Sequence, residues 1–287
     1  MADYDKFEVL EFLFNQKTAN RTQRIGTDID FTLREVGNAI MATRGRQPAS
    51  WSNFVLDLTR KDSGITKRLP LNVINCGYDL RKKTGRVLGT SHESYCGTYI
   101  FRGKDASGHT IPLRDWLKLD EEEIQRTIII DNLVPGLVRE FLSNDEASLF
   151  SVIDHCDILS QVMEKQVYRI QSPMKLQPNE IDGFYVSQNG RIIEIYPVEA
   201  KAISTKDDIN LVQILGQYKT LLQRYTHGGY TLVVRPVAIR MEKAGMRLAV
   251  LEYNPMYDPH RNPDAGMFNV REVIRIILNP PLDAWNQ

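Results

Sequence analysis

Apolar positions recur at helical spacing from the start of the chain. Phe7, Leu10, Phe12, Leu13 and Phe14 give residues 1–29 an opening amphipathic helix, and the polar stretch 16–27 reads as loop. Leu33, Val36, Ile40 and Met41 predict a second helix over 30–43. Gly45 to Ala49, with Pro48, breaks it. Ser50 can cap a third helix over 51–60 by accepting a backbone N–H in its first turn. Over 70–104 the apolar runs are shorter, with a strand at 99–102.

The pattern changes near residue 130. Ile128, Ile129 and Ile130 precede Asn132 and Pro135, and a short helix runs to Leu142. Helix and strand signals then alternate. A helix over 145–161 turns Leu149, Phe150, Ile153, Ile158 and Leu159 inward. Strands follow at 167–170, 181–186 and 191–198. Thr205 can cap the next helix, with Asp208 as a weaker stand-in for the capping-box Glu, and Ile214, Tyr218, Leu221 and Leu222 form its buried face. Strands at 231–239 and 248–253 and a helix over 270–278 close the chain. No internal repeat is present. The expected architecture is α/β: a central mixed β-sheet flanked by helices over 131–287, preceded by a mostly helical α+β region over 1–130.

Composition changes little in this picture. The chain has 287 residues, 42% apolar and 25% charged, which suits one large domain or two modest ones. No apolar run reaches membrane-span length. Asp3, Asp5, Glu8 and Glu11 stand where a signal peptide needs basic and then apolar residues, so the expected location is cytoplasmic. Cys76, Cys96 and Cys156 are odd in number and lack zinc-knuckle spacing, so they read as free thiols.

Net charge is zero, yet residues 34–104 hold 13 Lys/Arg against 5 Asp/Glu. A neutral chain with one basic segment suits local contact with phosphates, and equally suits a basic face turned to an acidic neighbour in the fold. The candidate phosphate-contacting cations are Arg44, Arg46, Arg60, Lys61, Lys67, Arg68, Arg81, Lys82 and Lys83. Arg86 belongs to the same cluster, and Tyr78, Tyr95 and Tyr99 lie among these charges. Two short helices ahead of the basic stretch 60–68 can form a DNA-reading unit, and they recur equally in ordinary mixed domains.

One stretch carries more chemistry than the rest. Asn179-Glu180-Ile181-Asp182-Gly183 leads to an Asn189-Gly190 turn, then to Pro197-Val198-Glu199-Ala200-Lys201 and a helix with Gln213 and Gln217. Asn-Gly is a strong hairpin signal. Pairing Gln188 with Arg191 sets Asp182 opposite Pro197 and Glu180 opposite Glu199. Side-chain alternation then puts Glu180, Asp182, Pro197, Glu199 and Lys201 on one face, with Asp182 diagonal to Glu199 at about 7–8 Å between Cα atoms. A bulge at Pro197, which cannot donate to a ladder, would shift that pairing. Acids gathered on a sheet are unfavourable without compensation, and a hard cation supplies it.

These motifs resemble the PD-(D/E)XK nuclease superfamily over roughly residues 145–255, and look most like type II restriction endonucleases. Ile181, rather than proline, directly precedes Asp182. The resemblance implies a restriction-endonuclease-like core and a Mg²⁺-dependent endonuclease acting on double-stranded DNA, with Mn²⁺ able to substitute. It implies that Asp182 and Glu199 hold the metal and that Lys201 is catalytic. An acid from the preceding helix often joins them: Glu146 is the first choice, with Glu140 and Asp154 as rivals. Gln213 is expected to contact the lysine or DNA. Residues 1–130 would contribute DNA contacts and specificity, and a homodimer would supply two sites for cutting both strands.

Other readings use the same residues. A repair or recombination nuclease would act on ends or branched DNA, and an inactive relative would only bind; RNA is also a conceivable substrate. Glu199 and Lys201 can be a surface ion pair worth under about 1 kcal/mol, and Gln213 a plain helix-surface residue. Apolar Ile193, Ile195 and Val198 favour a buried strand instead. His155 has no partner cluster for zinc and reads as structural or solvent-facing.

Overall fold

The computed structural model describes residues 5–19, 26–44, 54–59, 65–83, 93–120, 122–176, 179–203, 205, 208–225, 229–258, 261–262 and 265–282. The chain divides into two compact units. Unit 1 is Met1–Leu113 with Met256–Ala265, and unit 2 is Arg114–Pro255 with Gly266–Gln287. The division falls earlier than the expected 130/131, because residues 126–131 pair into the large sheet of unit 2. Residues 256–265 return to unit 1, where the Tyr257 hydroxyl accepts from Arg81 at 3.0 Å.

Unit 1 contains helices α1 (Lys6–Ala19), α2 (Leu33–Arg44), α3 (Phe54–Thr59) and α4 (Leu71–Asn75). Its antiparallel sheet has strands β1 (Ile29–Thr32), β2 (Tyr78–Lys82) and β3 (Tyr95–Phe101) in the order β1-β3-β2. The buried side of α1 is Val9, Leu10, Leu13 and Phe14, while Phe7 and Phe12 remain partly exposed. Residues 30–32, expected to begin the second helix, belong with Ile29 to β1; β-branched Ile29 and Thr32 flank Asp30 and Phe31 there, and the helix starts at Leu33. The core gathers Phe14, Phe31, Tyr78 and Tyr99 in close ring contacts, and the buried Tyr99 hydroxyl donates to the Leu10 carbonyl at 2.7 Å.

Among the described residues the basic segment is divided between buried and exposed cations. Arg68 is buried, and its guanidinium meets both oxygens of the fully buried Asp79 at 2.6 and 2.7 Å. This corrects its assignment as a phosphate contact: its charge completes the core. Lys83 pairs with Asp30 and lies over the Tyr95 ring, and Arg81 holds Tyr257. Arg44, Lys67 and Lys82 are exposed. Arg46, Arg60, Lys61 and Arg86, and the Ser50 cap, lie outside the described residues.

Unit 2 is mixed α/β, with a large mixed sheet flanked by helices. Its elements in order are β4 (Trp116–Leu117), β5 (Arg126–Asp131), α5 (Gly136–Arg139), α6 (Glu146–His155), α7 (Ile158–Met163) and β6 (Tyr168–Gln171). Next come β7 (Met174–Leu176), β8 (Asn179–Ile181), β9 (Gly183–Asn189), β10 (Ile192–Lys201), β11 (Ile209–Asn210) and α8 (Leu211–Arg224). The last four are β12 (Thr231–Val234), β13 (Val237–Glu242), β14 (Gly245–Tyr253) and β15 (Phe268–Asn279). The sheet order is β5-β15-β14-β13-β10-β9-β6, and β12 also pairs with β10.

Several expectations change here, each for a local reason. The helix expected over 145–161 is two helices, α6 and α7, separated at Asp157, whose φ of 46° is left-handed. Residues 270–278 are strand, not helix. Val270, Val273, Ile274 and Ile277 fit a helical period, but β-branched residues dominate, and Ile274, Ile276 and Leu278 alternate into the core. The strand expected over 231–239 is β12 and β13, interrupted at Arg235-Pro236. Arg235 donates to the Ile195 carbonyl at 2.8 Å. By strand alternation the next donor toward that break would be residue 197, and Pro197 has no N–H to give.

On the buried pair of unit 1, Arg68→Ala leaves the Asp79 carboxylate in the core without its cation. The expected cost is about 3–5 kcal/mol, read as an earlier urea midpoint for unit 1, whereas Lys67→Ala leaves the midpoint unchanged. Equal midpoints for both variants would refute the structural role of Arg68.

Candidate active site

β9 and β10 form the central hairpin of the site. Its ladder runs from Asn189 opposite Ile192 to Gly183 opposite Val198. The loop is therefore Gly190-Arg191, with Gly190 at φ 57°, and the register stands two units of residue-sum away from the expected one. Phe184, not Asp182, faces Pro197, and no bulge occurs there. Asp182 sits in the bend between β8 and β9. Its Oδ2 accepts the Ala200 N–H at 2.9 Å, and Ser172 Oγ donates to its carbonyl at 2.6 Å. A main-chain bond rather than a ladder pair thus brings Asp182 to β10. Gly183 is required beside it, because a Cβ there would lie 2.4 Å from the Phe150 ring of α6.

Glu199 and Lys201 share a face of β10. Lys201 Nζ donates to Glu199 Oε1 and to the Ala200 carbonyl, each at 2.9 Å, and stands 3.8 Å from Glu146 Oε1. The other Glu199 oxygen is held from α8: Gln213 Nε2 donates to Oε2 at 2.8 Å, and Gln217 Nε2 lies 3.4 Å from it. Gln217 also donates to the Glu180 carbonyl at 2.6 Å, so one amide ties the segment carrying Asp182 to Glu199. It is fully buried, and its Oε1 has no hydrogen-bond partner among the described residues. The sequence reading expected Gln213 against the lysine or DNA and gave Gln217 no role of its own. Their four-residue spacing was the available signal. α8 starts later than expected because Asn210, not Thr205, caps it, accepting from Val212 and Gln213.

Two glutamates on β10 show how unusual the site is. Glu194 is buried, and burial pushes its carboxyl up, but Lys165 at 2.6 Å, the Tyr196 hydroxyl and Arg235 outweigh this and hold it at about 2. Glu199 goes the other way. It is 2% exposed, and burial, reinforced by the Asp182 charge, raises its carboxyl to about 7 despite Lys201 and the glutamine. Burial also raises Asp182 and Glu146. Burial works against the Lys201 ammonium, yet Glu199, Asp182 and Glu146 outweigh it and raise its pKa. One ammonium therefore faces three carboxylates.

Among the helix-borne acids, Glu146 is the one beside Lys201. Asp154 engages Arg169 and accepts from the Tyr185 hydroxyl at 2.9 Å, and Glu140 is exposed at the end of α5. A cleft of about 600 Å³ runs past Glu146, Glu180 and Asp182 to Asp154, His155 and Arg169. His155 is exposed and bonds the Ser151 carbonyl through Nδ1 at 2.8 Å, which makes Nδ1 the protonated nitrogen.

The donor set suits a hard divalent cation. Asp182, Glu199 and Glu146 offer only oxygen, and with Lys201 charged the ionised set lacks two positive charges. Yet among the described residues no three acids, histidines or cysteines are drawn together closely enough to cage an ion. The Lys201 ammonium lies between the oxygens of Glu199 and Glu146, so a cation and the ammonium compete for Glu199.

An acid raised on folding favours the folded state while protonated. That contribution is complete below the ordinary glutamate value of 4.5 and is lost as pH rises to about 7. Metal-free protein is expected to lose on the order of 3 kcal/mol of unit 2 stability across that window. Glu199→Gln flattens the slope, and added Mg²⁺ restores stability to the parent at pH 8. Identical pH slopes in parent and variant would refute the assignment.

No family model, no curated protein and no solved structure matches the chain, so the site is read from its own residues and geometry.

Proposed function

We propose that unit 2 is a metal-dependent nuclease of the PD-(D/E)XK kind, an endonuclease hydrolysing phosphodiester bonds of double-stranded DNA. The observation that carries the reading is Glu199: a carboxylate buried beside Asp182, with Lys201 bound to it and two α8 glutamines holding its second oxygen. A structural ion pair needs neither the second acid nor the glutamines. Mg²⁺, held by Asp182, Glu199 and Glu146, would lower the pKa of a water and polarise the scissile phosphate.

The chain's own residues do the rest. Lys201, released from Glu199 Oε1, offsets negative charge that builds on the phosphoryl oxygens and orients the attacking water. Gln213 and Gln217 keep Glu199 oriented while its partner changes. The Ala200 N–H fixes Asp182, leaving Oδ1 for the metal. The open cleft beside Glu146 admits the strand. A type II restriction role, with two copies acting on the two strands, is the finer form of this proposal.

A second reading has an observation in its favour. Lys201 occupies the space between Glu199 and Glu146, as it would in a relative that binds DNA without metal or cleavage. Incubation with plasmid, with linear and branched DNA, and with RNA, each in Mg²⁺ or in EDTA, separates the two. Cleavage of DNA is expected only with Mg²⁺, and Asp182→Ala and Lys201→Ala should each slow it by at least about 100-fold while keeping the parent's circular dichroism. Folded variants that cut at the parent rate, or a parent that binds DNA and never cuts, would overturn the nuclease reading.

A further inference from the structure

Four cationic side chains stand in one row across the sheet of unit 2. In the ladders Lys201 pairs with Arg240, Arg240 with Arg247, and Arg247 with Arg275. Directly opposite residues share a sheet face, and like charges so placed are destabilising. Sheet stability alone therefore does not account for the row. Two carboxylates answer it: Glu242 meets Arg247 at 2.5 Å and Arg275 at 3.4 Å, and Asp208 lies 3.9 Å from Arg240. Lys243, exposed at the β13–β14 turn, adds a further cation. Among the described residues, and beyond Lys201, these four cations meet two carboxylates, Glu242 and Asp208.

The row is reachable at its outer end, whereas Arg247 is mostly buried and also donates to the Leu119 carbonyl at 2.9 Å. A cavity of about 550 Å³ opens on that end, lined by Arg240, Glu242, Lys243 and Arg275. The Arg275 side chain is 38% exposed and that of Arg240 20%. Neighbouring strands lie about 4.8 Å apart, so the row extends about 14 Å from Lys201 to Arg275. A phosphodiester strand is a polyanion of comparable reach, with one charge per nucleotide. Guanidinium groups suit such a partner because their forked donors fit phosphate oxygens.

We propose that Arg240, Lys243 and Arg275 form a contact for a nucleic-acid phosphodiester backbone at the outer end of this row, with Arg247 as the buried link toward Lys201. The identity of the polyanion rests on the nuclease reading; the register and the cavity do not. The sequence offered no sign of the row, because its members lie at positions 201, 240, 247 and 275 and meet only through strand pairing.

The test is binding of the full chain to a fluorescein-labelled DNA duplex of about 20 base pairs, followed by anisotropy in EDTA over a salt series. The Lys243→Ala/Arg275→Ala double variant should raise Kd at least about 10-fold and lower the slope of log affinity against log salt by about 0.9 per lost phosphate contact. Arg191→Ala, at the far end of β10, should bind as the parent does, and all three proteins should melt alike. The proposal is overturned if the double variant keeps the parent's Kd and salt slope, if the parent does not bind DNA, or if polyglutamate binds as tightly as DNA. Cleavage is not read here, so a chain that binds through this row and never cuts keeps the contact and loses the nuclease reading.

Discussion

The candidate site of unit 2 depends on a buried carboxylate whose charge its neighbours do not fully answer. Taking an ion such as Glu199 out of water costs several kcal/mol even after relaxation. Lys201 returns part of that, and the Gln213 amide adds a neutral hydrogen bond worth about 1 kcal/mol. Asp182 then works against both, because it is close enough to raise Glu199 further. Glu194, five residues earlier on the same strand, shows what full compensation looks like: two cations and a hydroxyl hold its charge. The fold can neutralise a buried glutamate on β10, and at Glu199 it does not.

The surrounding elements make sense as supports for that imbalance. β10 is the one strand that joins β9 on one side and both β12 and β13 on the other, so Glu199 and Lys201 project from well-braced backbone. The Ala200 peptide reaches across to Asp182, and Gln217 reaches from α8 to the Glu180 carbonyl. Asp182 lies outside the ladder, yet main-chain groups fix the segment on both sides of it. Phe150 closes against Gly183, which couples the position of α6, and hence of Glu146, to the same bend. Rigid support of this kind is what a constellation sensitive to sub-ångström displacement needs.

The sequence revealed local matters well and non-local ones poorly. The Asn189-Gly190 pair marked the hairpin, and residue types marked Asp182, Glu199, Lys201 and Glu146, which the fold brings together. Register slipped because the turn signal does not say whether Gly190 is the first or second loop residue, and two-residue alternation made the wrong answer look consistent. Val270–Leu278 was ambiguous because its apolar residues fit a helical period as well as a strand with one face in the core. Arg68 looked like surface charge because its partner, Asp79, is eleven residues away and only the fold of β2 shows the two together. The return of 256–265 to unit 1 leaves no mark in composition at all.

The row of arginines bears on the imbalance at Glu199 from outside. A phosphodiester that approaches Asp182, Glu199 and Glu146 meets three carboxylates and one ammonium, and is repelled unless positive charge lies nearby. Screening at about 0.1 M salt acts over about 10 Å. Arg240, one strand from Lys201, is inside that range and can moderate the field at the acids. Arg275, about three strand spacings away, is beyond it and acts more weakly on the acids than on phosphates that touch it. The two ends of the row therefore have different work. On the proposed nuclease reading, the near end would make the site approachable to an anion, and the far end would hold a part of the anion that does not react. A divalent cation would add to the first effect and leave the second alone, so on that reading affinity for nucleic acid and chemistry upon it would draw on separable sets of charges within one sheet.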